Sequence, residues 1–350
     1  MDAQYESSRR EFLSGLGAAA SLARLGAAPA DAAAQEALTI IDFHNHYVDA
    51  SWAITTVASA APSDRPRWQA INGKLQSVAT LLGSIEANGV SARVINTPTA
   101  FLEDADGNVP QDVHPRINDQ VAALCAKHAG KLYGLATVDA FAGDAAAREL
   151  TRAVKDLGLR GVFVESANPR RSLLFGDAPT RPMLKVAADL DIPVFLHPQT
   201  DPQLHERFSR TGRLGLRLAR GTINSAALVN MLEGGAFDEV PALRLVVTTW
   251  AFGALLLAGA NDDGARIRRD TPAATRRHVY VDTMGLHPVT VRAAVDLLGA
   301  DHVLMGTDWP VADERSIPGR LAAAMAHAGL DAAQQRMVAG GNALRLLGVA

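Results

Sequence analysis

The chain has 350 residues, 48% hydrophobic and 20% charged, with a formal net charge of −3. That length and mix suit one large globular domain with a sizeable core, and the near-neutral charge offers no footprint for nucleic acid or an anionic membrane. The single cysteine, Cys125, excludes an internal disulfide and a CxxC metal site, and within "DQVAALCAKHAG" it reads as a small buried apolar side chain.

The first segment stands apart. "SSRREFLSGLGAAASLARLGAAPADAAAQ" opens on Arg9 and Arg10, passes Phe12 and Leu13, and runs through a weakly apolar Ala/Gly/Leu stretch to small residues at Ala32 and Ala34. This is the layout of a twin-arginine export signal, with cleavage after Ala34. Arg24 interrupts the stretch, so it is not a membrane span, which needs about 20 apolar residues. Residues 1–34 are therefore expected to be the signal and residues 35–350 the folded domain, exported or periplasmic and without a stable membrane anchor.

Beyond Ala37, short apolar runs alternate with longer amphipathic ones. The predicted strands are 38–43, 92–97, 132–138, 159–164, 192–197, 243–249, 278–283 and 302–307. Between them lie helical patterns such as "KLQSVATLLGSIEANG", "INDQVAALCAKHAG", "DAAARELTRAVKDLG", "RPMLKVAADLD", "VTVRAAVDLLG" and "RLAAAMAHAG". Continuously apolar strands indicate burial on both faces and a parallel sheet. Eight strand-then-helix units predict an α/β fold, a (β/α)8 TIM barrel. The competing architecture, a doubly wound open sheet, would bring a Gly-rich phosphate loop after the first strand, and "HNHYVDASW" is not one. Two insertions interrupt the pattern: residues 47–74, with Trp52, Arg65, Arg67 and Trp68, and residues 198–221, with Arg207, Arg210, Arg213, Arg217 and Arg220. Loops after barrel strands build the active face.

"IIDFHNHY" ends the first strand. Strict alternation puts Asp42, His44 and His46 on one face, with Ile41, Phe43 and Asn45 on the other. The strand ends, taken in order, supply His44 and His46, then Glu165, His197, Thr249 and Asp308. Three imidazoles and one carboxylate converging on a barrel axis would suit Zn²⁺ or a similar divalent ion.

With these stretches the chain resembles the amidohydrolase superfamily. The likeness is to its amidohydrolase-related branch, which includes decarboxylases of the aminocarboxymuconate-semialdehyde and γ-resorcylate types. It rests on "IDFHNHY", "RPMLKVAADLDIPVFLHP", "LEGGAFDEVPALRLVV", "YVDTMG", "ADHVLMGTDWP" and "GNALRLLG", and spans residues 38–349. The resemblance implies a distorted barrel in which His44, His46, His197 and Asp308 hold one metal ion, Zn²⁺ with Mn²⁺ as the alternative. The chain departs from the pattern on the sixth strand. Where decarboxylase-like members place a His, "LVVTTW" offers Thr249 or Trp250. A threonine hydroxyl hydrogen-bonds but does not titrate near neutrality. Proton transfer then falls to Asp308, to water at the metal, or to His287 past the seventh strand. Glu165 occupies the place of a lysine that would carry a second metal, which predicts a mononuclear site with Glu165 and Thr249 as substrate contacts. Arg213 or Arg217 is the expected clamp for a substrate carboxylate.

Three functions follow as expectations. One is non-oxidative decarboxylation of a small aromatic or unsaturated acid. A second is metal-dependent hydrolysis of a lactone, ester or amide. A third is ligand binding in the periplasm without turnover. The expected partner is a small-molecule carboxylate or lactone, with room for a homodimer and no nucleic acid.

Overall fold

The structure, a computed structural model, describes residues 38–104, 106–248, 251–260, 271–312 and 316–350. The expected export signal and Thr249 and Trp250 lie outside the described residues. In chain order the strands are β1 (Ile41–His46), β2 (Ala92–Asn96), β3 (Leu132–Gly134), β4 (Ala136–Thr137), β5 (Val162–Glu165), β6 (Ala167–Asn168), β7 (Leu173–Leu174), β8 (Pro193–His197), β9 (Arg244–Val247), β10 (Val279–Asp282) and β11 (Val303–Leu304). Among the described residues only the small β6–β7 pair is antiparallel.

The parallel strands form a ring. One sheet runs β1-β2-β3, and the other runs β11-β10-β9-β8-β5-β4. β3 and β4 are parts of one strand interrupted at Leu135. At the other seam, Phe43 N–H donates to the Met305 carbonyl at 2.9 Å, Asp308 N–H to His44 at 2.9 Å, and His46 N–H to Trp309 at 2.8 Å. These bonds return the end of β11 to β1, with Asn45 and Trp309 as an isolated bridge.

The apolar runs are explained by two layers of core. Ile41, Phe43, Val94, Phe163, Phe195, Val246 and Leu304 fill the interior of the ring, and Ala343, Leu346 and Leu347 plug one end of it. Ile95, Val162, Val164, Val194, Leu196, Leu245, Val247 and Val281 face outward into the helix layer. A strand buried on both faces needs no polar alternation. The plug comes from "AAQQRMVAGGNALRLLG": a helical turn Ala332–Arg336, a π-helical turn Met337–Gly341 and the helix Asn342–Leu346. Gly340 passes so close to the Thr39 carbonyl that a Cβ there would collide with it. Asn342 ties the plug to the ring through Nδ2–H bonds of 2.8 Å to the carbonyls of both Ala300 and Val303.

Two elements differ from the sequence pattern. "KLQSVATLLGSIEANG" reads as one helix, but it straddles the helices Arg65–Leu75 and Val78–Ala87. Ser77 starts the second by accepting the Thr80 N–H at 3.1 Å, which diverts the backbone between them. The arginine-rich insertion is helical: Pro202–Ser209, capped by Asp201 on Leu204 N–H at 2.8 Å, and then the 22-residue helix Gly212–Glu233. The two insertions touch where Arg213 donates to Asp64 at 2.7 Å.

Candidate metal centre

The first strand does not alternate as its sequence suggests. Ile41 pairs with Ala92 and Asp42 with Arg93, but Asn45 pairs with Ile95 and His46 with Asn96. β1 therefore spends one residue more than β2 between Asp42 and Asn45, which is a β-bulge. Ile41 and Phe43 point into the ring. After the extra residue His44 points inward too, its ring centroid 4.9 Å from that of Phe195, and His46 faces the Phe163 ring at 6.1 Å. Asp42 is thereby separated from the histidines and turns with Asn45 to the reverse side, against Arg93.

Three imidazoles now meet edge to face. Their centroids are 5.1 Å apart for His44 and His46, 5.4 Å for His44 and His197, and 5.0 Å for His46 and His197. Asp308 completes the group. Its Oδ1 lies 3.5 Å from His44 Nε2 and 3.2 Å from His46 Nε2. One donor atom from each of the four lies within 4.8 Å of the others. Among the described residues no second such group gathers. Asp308 adopts φ +68°, a left-handed backbone unusual for a side-chain-bearing residue, held by its N–H bond to the His44 carbonyl.

The residues fit a divalent ion. The buried His44 Nε2 has no hydrogen-bond partner, while its Nδ1 donates to Asp282 Oδ2 at 2.5 Å. A carboxylate only accepts, so the proton sits on Nδ1 and the Nε2 lone pair points at the cluster. His46 is set the same way by Asn96 Oδ1 at 2.9 Å from Nδ1. Gly306 makes the Asp282 contact reachable, since a Cβ there would stand 3.0 Å from that of His44 and 3.1 Å from that of Asp282. Burial, followed by the neighbouring His46 and Arg220 charges, holds His197 well below the ordinary histidine range. Burial and the His44 charge lower His46 likewise, despite its bond to Asp308. Both shifts favour the neutral imidazole that a cation requires of its ligands, whereas for His44 burial acts to lower the pKa but the Asp282 carboxylate and its hydrogen bond raise it overall. Burial acts to raise Asp308, but the His46 hydrogen bond and the His44, His46 and Arg220 charges outweigh it, so its carboxylate stays ionised.

Beside the cluster opens a cavity of about 590 Å³, walled by Thr99, Glu103, Phe141, Phe163, Glu165 and Gln199 among others. Phe163 is shared by both, its ring 5.2 Å from that of His197. Glu165 pairs in register with His197 and accepts from Gln199 Nε2 at 2.6 Å. Burial first, and then the Glu103 carboxylate, push its pKa up to about 7.

The remaining predicted positions divide. Arg213 and Arg217 are exposed on the helix Gly212–Glu233, and Arg213 is spent on Asp64. Arg220, further along that helix, reaches inward. It donates to the Pro198 carbonyl at 2.8 Å, and its charge acts on His197, Asp308 and Glu165. His287 is exposed at the N-terminus of the helix Pro288–Leu298 and does not join the cluster. Sequence reasoning passed over Asp282 and Asn96, and it named Arg220 in the arginine-rich insertion but gave the clamp to Arg213 or Arg217. Asp282 carried a legible signal, since "HVYVDT" puts it at a strand end like the ligands themselves. Asn96 carried none beyond position.

The amidohydrolase family model matches residues 41–349. The chain is 28% identical over 246 residues to a γ-resorcylate decarboxylase of Polaromonas sp. (strain JS666 / ATCC BAA-500), covering 65% of this chain and 74% of that one. Its fold is similar to the crystal structure of 2,6-dihydroxybenzoate decarboxylase from Rhizobium, with a TM-score of 0.74 and 21% identity over 89% of this chain and 99% of the other. A dihydroxybenzoic acid decarboxylase from Polaromonas sp. JS666, solved with bound manganese and the inhibitor 2-nitroresorcinol, gives a TM-score of 0.72 at 20% identity over 89% of this chain and 97% of the other.

Proposed function

The chain belongs to the amidohydrolase family, and from that premise and its site we infer a metal-dependent, non-oxidative decarboxylase of small aromatic carboxylic acids. What carries the reading is the group His44, His46, His197 and Asp308, four donors within 4.8 Å beside a cavity of about 590 Å³. That volume is of the size that takes a small ligand. The similarity to γ-resorcylate decarboxylases supports the substrate class. Three imidazoles suit Zn²⁺, and the manganese in the Polaromonas relative supports Mn²⁺ as the alternative.

A divalent ion held by these four residues would supply positive charge that polarises an oxygen of the bound acid and stabilises negative charge as it develops. The chain's own residues do the rest. Arg220, half-buried with its Nε out of solvent, presents its guanidinium toward His197 and is suited to anchor the substrate carboxylate. Phe163 and Phe141 offer flat apolar walls to an aromatic ring. In the reaction the bond from ring carbon to carboxylate breaks, CO₂ leaves, and the electron pair left on carbon takes a proton. Asp308, ionised at rest, accepts and returns a proton at the ligand cluster. Glu165, with its carboxyl near neutrality in the cavity wall, is the second proton holder. It stands in for the titratable side chain that the sixth strand lacks.

The test is a metal-loaded preparation given hydroxybenzoates and related aromatic acids, with CO₂ release and product both measured. We expect turnover that is abolished by chelation. Acid production from aryl lactones or esters, with no CO₂ from any aromatic acid, would overturn decarboxylation in favour of hydrolysis.

A further inference from the structure

The reverse face of the β1 bulge carries a buried polar knot that neither the metal cluster nor the cavity includes. Arg93, on β2, is fully buried, as are Asp42 and Asn45 on β1. Arg93 Nη1 donates to Asp42 Oδ2 at 2.6 Å and to Asn45 Oδ1 at 2.5 Å. Asp42 and Asn45 flank the extra residue, so one guanidinium nitrogen bridges the bulge from end to end. The knot reaches the third metal-bearing segment as well. Asp42 accepts the Thr307 N–H at 3.0 Å and the Thr307 hydroxyl at 2.7 Å, immediately before Asp308. The guanidinium also lies 5.2 Å from the centroid of the Trp309 ring, immediately after it. Asn45 is fixed in turn by Nδ2–H bonds to the Asp42 carbonyl at 2.7 Å and the Val94 carbonyl at 3.1 Å.

Why such a knot sits here follows from the backbone. β1 and β11 share no regular ladder: their seam is a few backbone bonds and one isolated bridge. β1 and β2 lose register in the same place. Three of the four metal-binding side chains, His44, His46 and Asp308, hang from this weakly laddered seam. A buried ion pair is an expensive way to gain stability, because desolvation offsets much of its attraction. It is an effective way to hold one geometry, because its partners must all be satisfied at once.

We propose that Arg93 is a positioning residue for the metal: by clasping Asp42, Asn45 and the Thr307–Trp309 turn, it holds the bulge that aims His44, His46 and Asp308 at one ion. The proposal rests on the metal reading above. It concerns the aim of the ligands and not their identity.

The experiment compares wild type with Arg93→Lys, Arg93→Met, Asn45→Ala and Thr307→Val, together with Leu150→Ala, a deletion in the outer core remote from the bulge. Three properties are measured: stability of the metal-free protein, metal affinity by competition with a chromophoric chelator, and the visible spectrum of the Co²⁺ form, which reports coordination geometry. Arg93→Met and Asn45→Ala should lose roughly 10–100-fold in metal affinity and shift the Co²⁺ bands. Arg93→Lys, which keeps the charge but not the two-way bridge, should fall between them and wild type. Leu150→Ala should lose stability with affinity and spectrum unchanged. Affinity within twofold of wild type and an unaltered spectrum in every folded knot variant would overturn the proposal, and so would equal losses in Leu150→Ala. Should Arg93→Met fail to fold, Arg93→Lys and Asn45→Ala decide by the same criteria. A wild type that binds no divalent ion would instead remove the metal reading itself.

Discussion

Arg213 and Arg220 lie about two turns apart on one helix and face different media. Arg213 is exposed and bonded to Asp64, a surface pair of the kind that contributes little. Arg220 is drawn in against Pro198, beside His197. A charge-assisted bond in a dry site is much stronger than one in water. Arg220→Met should therefore lower kcat/KM for an aromatic acid by about 100-fold, in line with the 2–5 kcal/mol cost of removing one partner of a buried charge pair. Arg213→Ala should leave it within about twofold. Steady-state kinetics on both variants check this, and the reverse ranking would return the clamp to the exposed arginines. Glu165 makes a second prediction at this scale. Its folded pKa of about 7 exceeds the 4.5 of a free glutamate, chiefly through burial. The folded protein thus holds more protons than the unfolded chain between those values, and stability falls as pH rises through the window. Glu165→Gln removes that titration. It should gain on the order of 1–3 kcal/mol over wild type at pH 8, and the gain should shrink toward pH 5. Denaturant melts at both pH values test it; a difference that does not change with pH would refute the assignment.

Elements were legible in type more than in detail. The apolar runs locate each barrel strand to within a few residues, because a strand buried on both faces must be apolar along its length. The facing of β1 was not legible. Alternation assumes a regular ladder, and an added residue in one strand shows only against its partner. "IIDFHNHY" contains no mark of the bulge, yet that residue separates Asp42 from His44 and lets Phe43 and His44 both turn inward. The long helix Gly212–Glu233 was obscured for a different reason. Its arginines and glycines read as loop composition, and tertiary packing of Ala219, Ile223, Ala227 and Leu228 overrode local preference.

For the whole molecule, the ring joins chain ends that lie far apart in sequence. His44 and Asp308 face each other across the seam, so an ion bound there staples the first strand to the last. Binding confined to the folded state stabilises it by about 2.7 kcal/mol when the free ion is at 100 times its Kd. For a domain of this size each kcal/mol is worth about 2 °C in Tm. Stripping the metal with a chelator should therefore lower Tm by roughly 5 °C, and adding Zn²⁺ or Mn²⁺ should restore it; a scanning calorimetry trace unchanged by either treatment would argue against an ion at the seam.

The order of residues along the chain was enough to announce a parallel barrel and the three histidines and one aspartate placed at its strand ends, since periodicity and strand-end position are local properties. It was not enough to say which arginine turns inward, which carboxylate orients His44, or which face Asp42 takes. Those outcomes depend on distances between residues as far apart as 44 and 282 or 42 and 307, and only closure of the ring brings such partners within hydrogen-bond reach.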